Sequence, residues 1–258
     1  MTRPEPAPEP AGRSGPAAGA APAPEGWHGW ASIAPGRLYY GGRIGAAGLH
    51  AHHAAQLMIG DGLVLRDAAG AEHAVTAALI PPNTPHAIVR GTADGLLALI
   101  DPFQAGPVRA HPDPRAAASW AIDLDVPAAR DLPTLRALVD ELTGAAPRAA
   151  RHPALIAATR VIAATLPGRV RLADVARAVR LSESRLSHLF TSELGLPFRP
   201  YVLWARLRAA LPPVSAGASL TEAAHAAGFA DSAHLTRVVR RMMGRPPSAL
   251  TAGIRWLP

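Results

Sequence analysis

The sequence contains no cysteine, and although it has 26 positively charged residues, none of them is lysine. Without cysteine the chain has no disulfide scaffold, no thiolate zinc finger and no thiol nucleophile, and it fits a reducing compartment. No uninterrupted apolar run reaches the ~18 residues that a membrane-crossing helix needs. The opening stretch MTRPEPAPEPAGRSGPAAGAAPAPEG puts proline, glycine and acid where a secretion leader needs an apolar segment. A soluble, cytoplasmic protein is therefore expected.

A chain of 258 residues allows two ordinary domains but no large multidomain enzyme. Its charge is divided unevenly. Residues 1–147 carry 10 Arg and 14 acids, net −4, whereas residues 148–258 carry 16 Arg and 5 acids, net +11. A basic domain is the electrostatic footprint of a polyanion partner, usually nucleic acid. The competing reading is an arginine-rich surface that only solvates the protein.

The chain divides into three units. Residues 1–26 are rich in Pro, Ala, Gly and Glu, lack hydrophobic periodicity, and are expected to be a disordered tail. Residues 27–147 form the second unit. Up to residue 110 they hold short apolar runs at Arg37–Ile44, Ala54–Ile59, Leu63–Arg66, His73–Ile80, His86–Arg90 and Gly95–Ile100. Turn signals Gly60-Asp61-Gly62, Pro81-Pro82-Asn83 and Asp94-Gly95 separate them, a pattern of an antiparallel sandwich or small barrel. A helical stripe follows at Leu132, Leu135, Leu138, Val139 and Leu142, expected to pack on that β domain. Residues 148–258 read as all helix, with helices near 153–165, 172–179, 183–194, 198–211, 220–227, 232–243 and 247–252. The fourth of these is expected to stop at Leu211, because Pro212 and Pro213 each remove a helical N–H and clash with the preceding turn.

This basic half repeats itself. Leu172–Leu181 lies over Leu220–Phe229 at an offset of 48, and Arg185–Gly195 lies over His234–Gly244 at an offset of 49. Each copy is a short helix, a tight turn and a second helix. Ala176 and Ala224 supply the small residue that lets two helices cross. Leu186, Leu189 and Phe190, and in the second copy Phe229, Leu235 and Val239, supply the buried wedge. Ser182 and Asp231 are placed to cap the second helix of each copy, and Ser219 with Glu222 forms a capping box. This is helix-turn-helix patterning, whose second helix can enter a major groove. An ordinary helical bundle is the alternative, and two copies within a basic domain favour DNA.

The segments LADVARAVRLSESRLSHLFTSELGLPFRPYV, ARLRAAL and SLTEAAHAAGFADSAHLTRVVRRMMGRPPSAL resemble the DNA-binding domain of AraC/XylS-family transcription regulators. The likeness covers about 100 residues, from His152 to the segment that ends Gly244-Arg245-Pro246-Pro247. It departs at Arg180, where a turn glycine is common, at Val238-Val239, where an aromatic usually packs, and at Pro212-Pro213. The resemblance implies double-stranded DNA as the partner, with two reading helices in successive major grooves about 34 Å apart. The first would present Ser184, Arg185, Ser187, His188 and Thr191, with base contacts at Ser184, Ser187 and His188. In the second, base contacts fall on Ser232, Ala233, Thr236 and Arg237. Arg237 is best suited to reading guanine, because its fork matches O6 and N7. Arg199, Arg206, Arg240, Arg241 and Arg245 are expected to hold phosphates or to solvate the surface.

The acidic half resembles a cupin-like barrel, the usual N-terminal domain of this family. His50, His52, Gln56 and His86 fall where metal-binding cupins place two His, a Glu and a further His. Glutamine replaces the acid, and an amide is a poorer ligand for a divalent ion. These four residues are therefore expected to line an effector pocket, with no metal and no cofactor. The fold class that results is α+β: a cupin-like β-barrel over 27–147, then an all-α domain over 148–258 with two helix-turn-helix units. A transcription regulator that is not an enzyme, that responds to a small-molecule effector and that pairs as a homodimer is the reading. A metal-dependent cupin enzyme with a nucleic-acid module, and a nucleoid-type architectural protein, are the alternatives.

Overall fold

The computed structural model describes residues 26–101, 103, 113–144 and 151–258. The expected tail over 1–25 lies outside the described residues. Seven strands come first: β1 (His28–Ala34), β2 (Arg37–Ile44), β3 (Ala47–His50), β4 (Ala55–Asp67), β5 (Glu72–Ile80), β6 (His86–Arg90) and β7 (Thr92–Ile100). A 3-10 helix at Ala117–Trp120 and α1 (Leu132–Gly144) follow. The basic half contains α2 (Pro153–Thr165), α3 (Leu172–Ala178), α4 (Glu183–Leu194), α5 (Phe198–Ser215), α6 (Leu220–Ala227), α7 (Ser232–Met243), α8 (Pro247–Thr251) and a last strand, β8 (Ile254–Leu257).

The strands pair in the order β3-β6-β4-β7-β2-β1-β8, with β5 also on β4. β4 organises the sheet. Its first half, Ala55–Ile59, pairs with β7, and its second half, Val64–Asp67, pairs with β6. Gly60-Asp61-Gly62 was expected as a turn between two strands. It is instead the irregularity in one continuous strand, where the register against β5 shifts between Ile59 and Leu63. Gly62 takes φ of +73° there, a conformation that favours glycine. The bend gives the sheet two faces. Inside lie Tyr40, Met58, Leu65, Ile80 and the fully buried Trp120. Outside, Leu57, Leu79 and Leu96 pack under Leu132, Leu135 and Val139 of α1. The apolar stripe of α1 thus covers its own domain, as its spacing predicts.

Two expectations for the basic half are corrected. It is not all helix, because β8 leaves it and pairs in parallel with β1, Gly29 opposite Ile254 and Ser32 opposite Leu257. Four residues are too few to show a period, and their partner strand lies at the other end of the sequence. The linker helix does not stop at Leu211. α5 runs through Pro212 and Pro213 to Ser215, and the amides of Ala216 and Ala218 bond to the carbonyls of Pro212 and Pro213 at 3.0 and 2.9 Å. The prolines sit in its last turns. There the Pro212 and Pro213 carbonyls still accept bonds from the residues after them, and Ser215 Oγ donates to the Pro212 carbonyl at 2.9 Å, so the last turn closes despite the lost N–H groups.

Candidate DNA interface and sensor cavity

The two repeats fold as matching units. In the first, α3 and α4 enclose Val175, Ala176, Leu186, Leu189 and Phe190 together with α2 and the start of α5. In the second, α6 and α7 enclose Ala224, Ala227, Phe229, Leu235, Val238 and Val239 against Trp204 and Leu207 of α5. The valine pair that departs from the family pattern is therefore buried core. The caps are where the sequence places them: Ser182 Oγ accepts from Arg185 N–H, Asp231 Oδ1 accepts from His234 N–H at 2.6 Å, and Ser219 with Glu222 closes a full capping box. These caps fix where α4 and α7 begin and hence which residues face outward.

On α4, Ser184, Arg185, His188 and Thr191 are exposed and Ser187 is half-buried. On α7, Ala233, Arg237, Arg240 and Arg241 are exposed, while Ser232 and Thr236 are half-buried. Arg199 is also exposed. Two of the expected phosphate holders have other partners. Arg206 donates to the Gly168 carbonyl at 3.3 Å, and Arg245 donates to the Ala46 carbonyl at 2.7 Å, on the segment entering β3. Arg245 is thus a tie between the two domains.

In the sensor half the structure brings His50, His52 and His86 together, with one ligand atom of each within 4.8 Å of the others. Each ring is tethered by Nδ1 to a backbone carbonyl: His50 to Gly48 at 2.7 Å, His52 to Ala54 at 2.9 Å, His86 to Thr84 at 2.8 Å. A carbonyl only accepts, so in His50 and His86 these contacts place the proton on Nδ1 and leave the lone pair on Nε2. Gln56 joins them with its Oε1 2.9 Å from His52 Nε2, so the Ala54 and Gln56 oxygens compete for the one proton of the neutral His52 ring. Burial pushes all three imidazoles below the ordinary range, His50 to about 4, and the rings weaken each other's charged forms. The cluster is neutral at neutral pH. Three imidazoles at this spacing could hold an ion, but the fourth group is an amide and brings no negative charge to offset it.

A cavity of about 440 Å³ opens beside this cluster. Its wall is shared: His50, Gln56 and Leu97 come from the sheet, and Trp204, Leu235 and Val239 from α5 and α7. Around it the two domains are joined by specific contacts. Arg208 of α5 pairs with Asp101, just after β7, at 3.0 Å, and Trp204 Nε1 donates to the same carboxylate at 3.0 Å. His53, which the sequence did not single out, packs its ring against Tyr201 and Trp204. Gly244, the C-cap of α7, lies against Gly48 of β3, and a Cβ on it would meet the Gly48 oxygen at 2.4 Å. Asp101, Arg208 and His53 carry no local sequence signal, since each matters only through a partner on another domain.

A tandem helix-turn-helix with capped, exposed second helices defines a DNA-binding protein. Residues 175–253 match the family described as "Helix-turn-helix domain". Among solved structures, ToxT from Vibrio cholerae bound to an unsaturated fatty acid shares 13% identity, with 82% of this chain and 93% of that chain covered at a TM-score of 0.54. An AraC-type transcriptional regulator from Chromobacterium violaceum shares 27% identity over 34% of this chain and 80% of its own, at a TM-score of 0.33. The DNA-binding domain of AdpA, solved with a target DNA, shares 20% over 39% of this chain and 92% of its own, at 0.36. No curated protein matches the sequence. Over 82% of this chain the fold is that of the Vibrio protein, and residues 175–253 match a helix-turn-helix domain, the module of a DNA-binding transcription regulator.

Proposed function

We propose a one-component regulator in which residues 27–147 form a cupin-like sensor and residues 148–258 carry the DNA-reading surface. The observation behind this reading is the cavity walled jointly by the sheet and by α5 and α7. Whatever binds there touches the sensor and the second helix-turn-helix unit at once, so occupancy biases how the reading helices are held. The Vibrio relative with an unsaturated fatty acid supports a small-molecule effector. His50, His52, Gln56 and His86 are assigned to the sensor as a neutral polar wall, without a metal or cofactor. Ser184, Ser187 and His188 of α4, and Ser232, Ala233, Thr236 and Arg237 of α7, are assigned to base edges. Arg185, Thr191, Arg240 and Arg241 are assigned to the backbone beside them. No catalytic role is assigned to any residue, cytoplasmic DNA is the target, and the sensor is the surface on which two copies pair.

The test is a footprint of the whole chain on genomic promoter fragments with competitor DNA. A discrete protected site with two contacted segments one helical turn apart is expected. Uniform coating of all fragments would favour the architectural reading instead.

A further inference from the structure

Both reading helices end on the sensor, and at the same place in the repeat. Gly195 closes α4 and Gly244 closes α7, separated by the repeat's offset of 49. The last carbonyls of a helix have no partner within it. Here the sensor supplies a donor to each helix: Asn83 Nδ2 donates to the Gly195 carbonyl and Gly48 N–H to the Gly244 carbonyl, both at 3.4 Å. We infer that the sensor sets the spacing of the two reading helices by bracing each at its C-cap, which makes Asn83 and Arg245 positioning residues for operator spacing. This rests on the reading of α4 and α7 as the helices that contact bases.

Each brace has a second member. At α7, Arg245 donates to the Ala46 carbonyl at 2.7 Å, and Gly244 packs so closely on β3 that an added Cβ would meet the Gly48 oxygen at 2.4 Å. At α4, Arg151 donates to the Glu193 carbonyl at 2.7 Å and lays its guanidinium over Phe103, 5.1 Å from the ring centre. Gly48 and Asn83 stand on one ladder of the sheet. β3 pairs with β6 through His50 and His86, and Asn83 N–H bonds to the His52 carbonyl at 2.8 Å. Asn83 holds φ of +59° there, a left-handed angle that asparagine tolerates better than most residues.

Reading helices contact bases from their N-terminal residues, and the braces lie at the opposite ends. The exposed Ser184, His188, Ala233 and Arg237 stay clear of them. α5 runs beneath both units and is the other element that can fix their separation. One added base pair moves the second half-site about 3.4 Å along the DNA and about a tenth of a turn around it. α7 can follow only by leaving Ala46 and Gly48, or α4 by leaving Asn83.

The experiment measures the affinity of the whole chain for its footprinted site, and for the same site with one base pair added or removed between the two contacted segments. The readout is the ratio of the two affinities. A protein that is merely less stable loses both alike and keeps the ratio. The wild-type chain is expected to lose about tenfold or more on altered spacing, the order of one missed base contact. Asn83→Gly keeps the left-handed turn and removes only the side chain, and it should shrink that loss severalfold. Arg245→Met should do the same, and the double variant should do so further. Arg245→Lys, which keeps a donor for Ala46, should hold the wild-type ratio. A double variant with the wild-type ratio overturns the inference and leaves spacing to α5 alone, with DNA reading intact. A wild-type chain indifferent to the spacing overturns it as well. Absence of a discrete two-part site would instead remove the reading of α4 and α7 on bases, and the inference with it.

Discussion

Arg180 and Gly228 occupy the same place in the two repeats, and both take left-handed backbone angles, φ of +56° and +80°. Each closes the first helix of its unit: the amide of the next residue, Leu181 or Phe229, bonds to the carbonyl of Ala176 or Ala224 at 3.0 and 2.9 Å. The turn is identical, but only one copy has the residue that adopts it freely. Arg180→Gly is therefore expected to stabilise the protein by about 1 kcal/mol, the order of the left-handed penalty for a residue with a Cβ. Gly228→Ala should do the opposite and by more, since its Cβ would meet the Pro167 carbonyl oxygen at 2.3 Å. Urea denaturation of the two variants checks both signs.

Arg237 and Arg240 are both exposed on α7 but are assigned different tasks. Arg237→Ala should cost about 1–3 kcal/mol at one base position and relax preference there. Arg240→Ala should weaken specific and random DNA alike. Affinities on a panel of single-base operator variants separate the two, and equal losses on all DNA for Arg237→Ala would sink its reading role.

The net charge of +11 over residues 148–258 implies steep salt dependence, because each neutralised phosphate releases counterions. Log affinity should fall linearly with log salt. A fragment starting at residue 148 contains both reading helices and most of their two cores, and it should protect the same bases as the whole chain. A fragment that does not bind, or an affinity indifferent to salt, would contradict the assignment of the DNA surface.

His50, His52, His53 and His86 are all buried, and desolvation lowers each below the ordinary imidazole value of 6.5. Unfolded, they titrate near that value. Between pH 6.5 and about 4 the unfolded chain therefore binds more protons than the folded one. The stability is full above pH 6.5 and declines as the pH falls through this window. Denaturation midpoints from pH 7.5 to 4.5 should show the decline, and His50→Gln with His86→Gln should flatten it. An unchanged slope in that variant would place the acid sensitivity elsewhere.

The same cluster gives a prediction about metal. A dication there would sit among neutral donors with its charge uncompensated in a buried wall. Elemental analysis of purified protein is expected to find no stoichiometric zinc or iron. One ion per chain, lost on replacing His50, His52 and His86, would make the cluster a metal sensor.

The helical half was legible to within a residue or so because its signals are local. Ser182, Ser219 and Asp231 start helices, Gly195, Gly228 and Gly244 end them with left-handed caps, and the apolar spacing between them is helical. The linker failed for the same reason. The penalty of Pro212 and Pro213 is visible in the sequence, whereas the bonds that their carbonyls accept from Ala216 and Ala218 show only in the folded chain. In the sheet, β1 was missed because Ala, Gly and Ser dilute the alternation of HGWASIA. The His50, His52, Gln56 and His86 cluster was readable from the resemblance. The Asp101–Arg208 pair was not, because its members are 107 positions apart and nothing near either one announces the other.

The pairing of β8 with β1 bears on the order in which the protein can assemble. Gly29 N–H bonds to the Gly253 carbonyl at 3.1 Å, and both helix-turn-helix units lie in the chain between those residues. As the chain leaves the ribosome, β1 to β7 can pair early, but the β1 edge stays open until more than a hundred further residues have been made. An open edge is a template for pairing with other chains. Nascent protein should thus pass through a window in which its sensor is folded but sticky, and β8 ends that window by covering the exposed strand.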